Sequence, residues 1–92
     1  VISEVTYDVG GFALPHFDPD SKITYNLMIG DSFEGGDVHL EEVLQDFYKR
    51  GDVVFFNGAN QKHSVSEITN GNRVMLSIWF SSKETKQTMG LL

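Results

Sequence analysis

Apolar and polar positions alternate with a period of two along most of this chain, the spacing of a strand with one buried face. The longest such run is "RVMLSIWFSS". It sets Arg73, Met75, Ser77 and Trp79 on one side and Val74, Leu76, Ile78 and Phe80 on the other. "VISEVTYDV", "KITYNLMI", "DVHLEE", "DVVFFNG" and "KHSVSEI" read as shorter strands. Turn signals separate them: the Gly pair of "DVGGFAL", then "GDSFEGGD", "KRGD" and "TNGN". "VLQDFY" fits a short helix or a strand equally well. Nothing requires a long helix, and the pattern predicts an all-β, antiparallel sandwich of two sheets. The Asn-Gly step in "TNGN" predicts a tight hairpin that returns the last strand beside the "KHSVSEI" strand.

"LPHFDPD", Leu14 to Asp20, sets a histidine two residues before an aspartate. In an extended segment His16 and Asp18 point to one face, so imidazole and carboxylate converge. Nitrogen and oxygen ligands meeting at a point suggest a metal, and the rest of the chain must supply a third ligand. Of the other histidines, His39 alternates with Val38 and Leu40 and is expected outside the core. His63 follows the apolar "VVFF" and precedes Arg73 by ten residues. It is the better third ligand. Arginine, hydroxyl and indole suit a core layer poorly, so the face of Arg73, Ser77 and Trp79 is read as the wall of an anion-binding pocket. Two histidines and one carboxylate form the facial triad of non-heme Fe(II) sites, which leaves positions open for other ligands.

Composition narrows the choice. The 92 residues allow one small domain, and an apolar share of 40% with seven Phe, three Tyr and one Trp suffices for a core. A net charge of −6 argues against a nucleic-acid backbone as partner. The absence of cysteine excludes disulfides and thiolate metal sites. No apolar run reaches the ~18 residues of a membrane helix. The start has neither the basic nor the apolar region of a signal peptide, which leaves the compartment unassigned with a cytoplasmic setting slightly favoured, and no membrane partner is expected. The abrupt beginning in a strand suggests a fragment of a longer catalytic domain.

Together "HFD", His63 and Arg73 resemble the 2-oxoglutarate/Fe(II)-dependent dioxygenases, in particular the prolyl 4-hydroxylase-like group. Tyr7, nine residues before His16, fits a tyrosine often found there, and "FEGGD" fits the Gly-Gly-acidic turn. "GDVVFFNGANQKHSV" and "GNRVMLSIWF" look like the family's distal-histidine run and final strand. The resemblance covers roughly residues 5 to 81. It implies a double-stranded β-helix, or jelly roll, over residues 1–82, with 83–92 as a C-terminal tail. It implies His16, Asp18 and His63 as catalytic metal ligands for Fe²⁺. Arg73, Tyr7 and Ser77 would bind 2-oxoglutarate, with Asn26 a further candidate. O₂ would be the oxidant, and ascorbate a reductant.

The implied reaction decarboxylates 2-oxoglutarate to succinate and CO₂ and hydroxylates an unactivated C–H. Asp18 favours hydroxylation, since related halogenases lack this carboxylate. A peptidyl prolyl or lysyl side chain is the expected substrate, with a small molecule as the other choice. "ALPHFDPDSK" and "EEVLQDFYKR" would be its contact loops. The alternative function is a metal-binding, cupin-like module without turnover, or a truncated inactive relative. The sequence departs from the family in having Met28 where an aromatic is common and in lacking helices before the first strand. If the Arg73 face lines the pocket, the stripes Val74, Leu76, Ile78, Phe80 and Ile23, Tyr25, Leu27, Ile29 point outward. Those stripes need cover, from an oligomer or from N-terminal helices.

Overall fold

A computed structural model describes residues 2–80. The expected tail, residues 83–92, lies outside the described residues. Ten strands follow in order: β1 (Ile2–Tyr7), β2 (Ala13–His16), β3 (Ile23–Met28), β4 (Phe33–Gly35), β5 (Val38–Leu40), β6 (Val43–Gln45), β7 (Val53–Phe56), β8 (His63–Val65), β9 (Ile68–Gly71) and β10 (Arg73–Phe80). Among the described residues there is no helix. The major sheet has the order β1-β10-β3-β7 and the minor sheet β2-β8-β5-β6, while β4 and β9 form a separate two-stranded ribbon. All ladders are antiparallel. This is the sandwich that the alternation predicts, with the jelly-roll connectivity expected of it.

The inner faces carry the core. Met28, Val38, Phe47, Val54, Phe56 and Met75 form one buried cluster, with Val5, Tyr7, Phe33, Leu40 and Val65 packed against it. On β10 the inner face is Arg73, Met75 and Ser77, all buried, and the apolar stripe Val74 to Phe80 lies on the opposite, outer face. On β3 Thr24 and Met28 are likewise buried, while Ile23 and Tyr25 are exposed. The segment "VLQDFY" resolves as strand β6, with Phe47 beyond it almost fully buried. Packing of that ring, not its neighbours' propensity, decides the outcome. "EEVLQDFYKR" is therefore a hairpin arm followed by a core residue rather than one open loop.

The expected hairpin at "TNGN" does not form. Ile68–Gly71 pairs with β4, and β10 runs between β1 and β3. His63 and Arg73 thus belong to different sheets instead of lying on adjacent strands. A two-residue type I′ turn needs positive φ at both central residues. Gly71 has φ +72°, whereas Asn70 is not in the left-handed region. A Cβ on Gly71 would collide with the Ser32 carbonyl, which shows why glycine stands against β4.

Candidate metal centre and the buried arginine behind it

Strand pairing brings the histidines together. His16 and His63 are opposite residues in the β2–β8 ladder, and their ring centroids lie 4.3 Å apart. Asp18 follows two residues after His16. Its N–H donates to the Gly58 carbonyl at 2.8 Å, which anchors it beneath the "NG" turn after β7. Asn57 builds that turn by accepting the Ala59 and Asn60 N–H groups on Oδ1, both at 3.1 Å. A Cβ on Gly58 would stand 2.8 Å from Thr24 Oγ1 and 3.3 Å from Asp18 Oδ2. Glycine lets the turn approach the carboxylate that closely.

Each ring is set by a backbone carbonyl two residues earlier. His16 Nδ1 lies 2.6 Å from Leu14 O, and His63 Nδ1 lies 2.8 Å from Gln61 O. A carbonyl only accepts, so each Nδ1 carries the hydrogen and each Nε2 keeps a lone pair in the neutral ring. Both Nε2 atoms point at the carboxylate of Asp18, at 3.4 Å for His16 and 3.0 Å for His63. Ligand atoms of the three residues lie within 4.8 Å of one another. Phe56 packs against the His63 ring at a centroid distance of 4.6 Å. Two imidazole lone pairs and an anionic carboxylate repel unless a cation stands among them, so the donor set fits a divalent metal. His39 is not part of this cluster. It lies with Pro15, Glu42, Lys62, His63 and Ser64 at a smaller depression, outside the group of His16, Asp18 and His63.

A cavity of about 450 Å³ opens beside the cluster, between the sheets. His16, Asp18 and His63 line one wall, and Tyr7, Asn26, Met75, Ser77 and Trp79 line the other. Arg73 is not on this wall. It lies behind Tyr7 and Met75 with none of its surface exposed. The Tyr7 and Phe47 rings flank its guanidinium carbon, with centroids at 5.5 and 5.4 Å. Tyr7 is its cross-strand neighbour. Gly36, at φ +68°, passes over the arginine where a Cβ would stand 2.9 Å from Arg73 Cδ and 2.5 Å from Ile68 Cδ1. The "FEGGD" turn is therefore a lid over the guanidinium, and Gly36 is the residue thin enough for it. At the end of the lid, Asp37 accepts the Tyr48 hydroxyl at 2.7 Å.

The arginine is poorly satisfied. Its Nη1 donates to the Met75 sulfur at 3.3 Å, while Nε and Nη2 have no partner among the described residues. Two more buried polar atoms lack partners among them, Ser77 Oγ and Asn26 Oδ1, from residues opposite each other in the β10–β3 ladder. Burial lowers the pKa of Arg73, and Tyr7 and Tyr48 oppose that shift. A guanidinium keeps its proton nonetheless. Such a buried, unpaired cation is costly unless an anion completes it. The arrangement therefore fits a ligand with a carboxylate end at Arg73 and a metal-binding end at the histidines. Alternation on β10 pointed to Arg73 and Ser77. Phe47 and the sulfur of Met75 were missed, because a single ring in an ambiguous segment and a methionine two residues along a strand carry no signal of contact with a cation.

The fold is a double-stranded β-helix whose two sheets hold a His-Asp-His cluster and a buried arginine. The chain belongs to the 2OG-Fe(II) oxygenase superfamily, whose model matches residues 3–81. No curated protein sequence matches the chain. Among solved structures it is similar to a 2OG-Fe(II) oxygenase family oxidoreductase from Burkholderia pseudomallei, with 18% identity and a TM-score of 0.71. It is also similar to a Pseudomonas putida prolyl-4-hydroxylase, with 21% identity and a TM-score of 0.73. Each alignment covers 87% of this chain but only 42% and 51% of those two chains, respectively. The chain thus spans about half of their length or less.

Proposed function

We propose that this chain is the catalytic core of an Fe²⁺- and 2-oxoglutarate-dependent dioxygenase that hydroxylates a prolyl or lysyl side chain of a peptide. The observation that carries the reading is the pairing, across one cavity, of a three-residue candidate metal cluster with unsatisfied polar atoms of Ser77 and Asn26 on the facing sheet and of the buried Arg73 behind it. His16, Asp18 and His63 would hold the metal, their rings fixed by the Leu14 and Gln61 carbonyls. Arg73 would pair with the far carboxylate of the cosubstrate, with Tyr7 and Ser77 hydroxyls beside it and Asn26 opposite Ser77. When bound, the iron supplies oxygen activation coupled to decarboxylation of the cosubstrate. The protein orients that cosubstrate by a charge-assisted contact at one end and excludes water between the sheets.

The substrate enters from the open side of the cavity, where Asp20 and Trp79 stand on the wall and Leu14 and Phe17 are exposed nearby. An aromatic surface suits a prolyl ring, and a carboxylate suits a lysyl side chain. The similarity to a prolyl-4-hydroxylase supports the peptide class. The test is succinate release by the Fe²⁺-loaded chain over a panel of prolyl and lysyl peptides, with and without ascorbate. Peptide-dependent succinate with a matching mass gain of one oxygen is expected. A chain that binds metal and 2-oxoglutarate yet turns over no peptide would leave a ligand-binding module instead.

A further inference from the structure

The position of Met75 goes beyond the cosubstrate pairing, although it rests on that reading. On the inner face of β10 the order is Arg73, Met75, Ser77. Met75 lines the cavity and Arg73 does not, so the methionine stands between the guanidinium and the space a ligand would occupy. Its sulfur is also the sole hydrogen-bond partner of Arg73 among the described residues, at 3.3 Å from Nη1. A thioether is a weak acceptor, far poorer than a carboxylate oxygen. It occupies one of three guanidinium nitrogens and leaves the other two unpaired.

We propose that Met75 is a displaceable place-holder on Arg73 that sets which 2-oxo dicarboxylate the cavity accepts. The far carboxylate of the ligand takes over Nη1 from the sulfur, and the unbranched side chain swings aside within the cavity. Methionine suits this movement, because three rotatable bonds let it refill an irregular gap. After the swing its bulk still fills the end of the cavity. A five-carbon diacid spans metal and arginine there, while a six-carbon one lacks room to fold its extra methylene. Ser77 Oγ and Asn26 Oδ1 lie on the metal side of Met75 and bear on ligand position without setting its length.

Met75→Leu and Met75→Ala test the two halves of this role. Leucine keeps the volume but removes the acceptor. Breaking the Arg73–sulfur contact then no longer opposes ligand binding, so 2-oxoglutarate should bind about three- to tenfold tighter, the equivalent of one ordinary hydrogen bond. The ligand-free protein should meanwhile melt earlier. Alanine removes the bulk and should raise the affinity for 2-oxoadipate relative to 2-oxoglutarate by about tenfold, as expected for a binding difference of a methylene or two. Binding is read by calorimetry on Zn²⁺-loaded protein, which supports no turnover. Methyl-¹³C-methionine spectra should show the Met75 methyl, assigned by its loss in Met75→Leu, shifting on titration of the unsubstituted protein.

The near-isosteric leucine variant keeps the test open if the alanine variant does not fold. Arg73-dependent binding with an unmoved Met75 methyl and unchanged affinities in both variants would overturn the place-holder role and leave the proposed function standing. No binding of 2-oxoglutarate to the unsubstituted, metal-loaded chain would overturn the function itself, and this inference with it.

Discussion

His16 and His63 are cross-strand partners in the β2–β8 ladder, and their Nε2 atoms converge on opposite oxygens of Asp18. The ladder, not chain proximity, therefore sets the separation of two of the three candidate metal ligands. His16→Ala, Asp18→Ala and His63→Ala should each abolish tight Fe²⁺ binding, measured anaerobically by calorimetry. His39→Ala should bind as the unsubstituted chain does. Fe²⁺ or Mn²⁺ should also raise the melting temperature of the unsubstituted chain and of His39→Ala alone among these, since a ligand of the native state stabilises it. Equal loss on His39→Ala would mean that the third ligand is misassigned.

Arg73 is a buried charge whose protein partner is a single sulfur, so stability and ligand binding should move in opposite directions when it is replaced. Arg73→Ala should keep metal but lose about 1.5–3 kcal/mol of 2-oxoglutarate affinity, the scale of a charged hydrogen bond. Arg73→Lys should lose less, because it keeps charge without the fork. Arg73→Met should remove cosubstrate binding as well, yet leave the ligand-free protein equally stable or up to ~4 kcal/mol more stable, as apolar replacements of buried ions do. Urea unfolding with and without 2-oxoglutarate separates the two effects. Undiminished 2-oxoglutarate binding in Arg73→Ala would remove the arginine from the site.

The candidate site was legible as far as period-two alternation holds: Arg73 and Ser77 share a face of β10, whereas Asp18 lies beyond the end of β2 and is held by its backbone bond to Gly58. Sheet membership was not. "TNGN" has the composition of a hairpin turn, but the chain spends those residues in the ladder with β4, a long-range pairing that local turn chemistry does not encode. Conversely, the tight hairpin that does form, between β5 and β6, carries no turn signal at all. Leu40 pairs with Val43, and the two residues between them are Glu41 at φ +50° and Glu42 at φ +69°. Tertiary pairing overrides propensity at both places.

That β5–β6 turn stores strain that better turn residues would release. Left-handed backbone costs roughly 1–2 kcal/mol for an ordinary L-residue, and Asn-Gly is the favoured pair for a two-residue hairpin. Glu41→Asn with Glu42→Gly should therefore stabilise the chain by about 1–2 kcal/mol in denaturant unfolding. Metal and 2-oxoglutarate binding should be unaltered, since both glutamates are exposed and outside the cluster. A loss of peptide turnover without a loss of stability would instead assign the strained turn to substrate contact.

Tyr48 gives a pH signature of the lid over Arg73. Burial, then its hydrogen bond to Asp37, pushes its pKa up to about 12 from the usual 10.0. Folding therefore favours the protonated phenol. Its stabilising contribution is complete below the unfolded pKa near 10 and is lost as pH rises toward the folded value near 12. Across that window the unsubstituted chain should lose more stability than Tyr48→Phe. Below pH 9 the two should show parallel profiles. Identical profiles throughout would mean that the Tyr48–Asp37 contact does not survive in solution.

The outer face of the major sheet poses the remaining question of what covers it. Ile2 and Phe55, each 67% exposed, stand on opposite edge strands, with Ile23 and Tyr25 between them. Tyr25 stacks on Phe55 at 5.6 Å and meets Phe80 edge-on at 6.1 Å, so the aromatic groups form a continuous surface rather than scattered side chains. A contiguous apolar sheet face with Phe55 on an edge strand invites association. The isolated 92-residue chain should scatter light above monomer mass at micromolar concentration. Phe55→Lys with Val53→Lys should shift it toward monomer, since the two new charges lie on the exposed face of β7 and touch none of the cavity residues. A monomer before substitution, at every concentration tested, would mean that the sheet tolerates water on this face without a covering element.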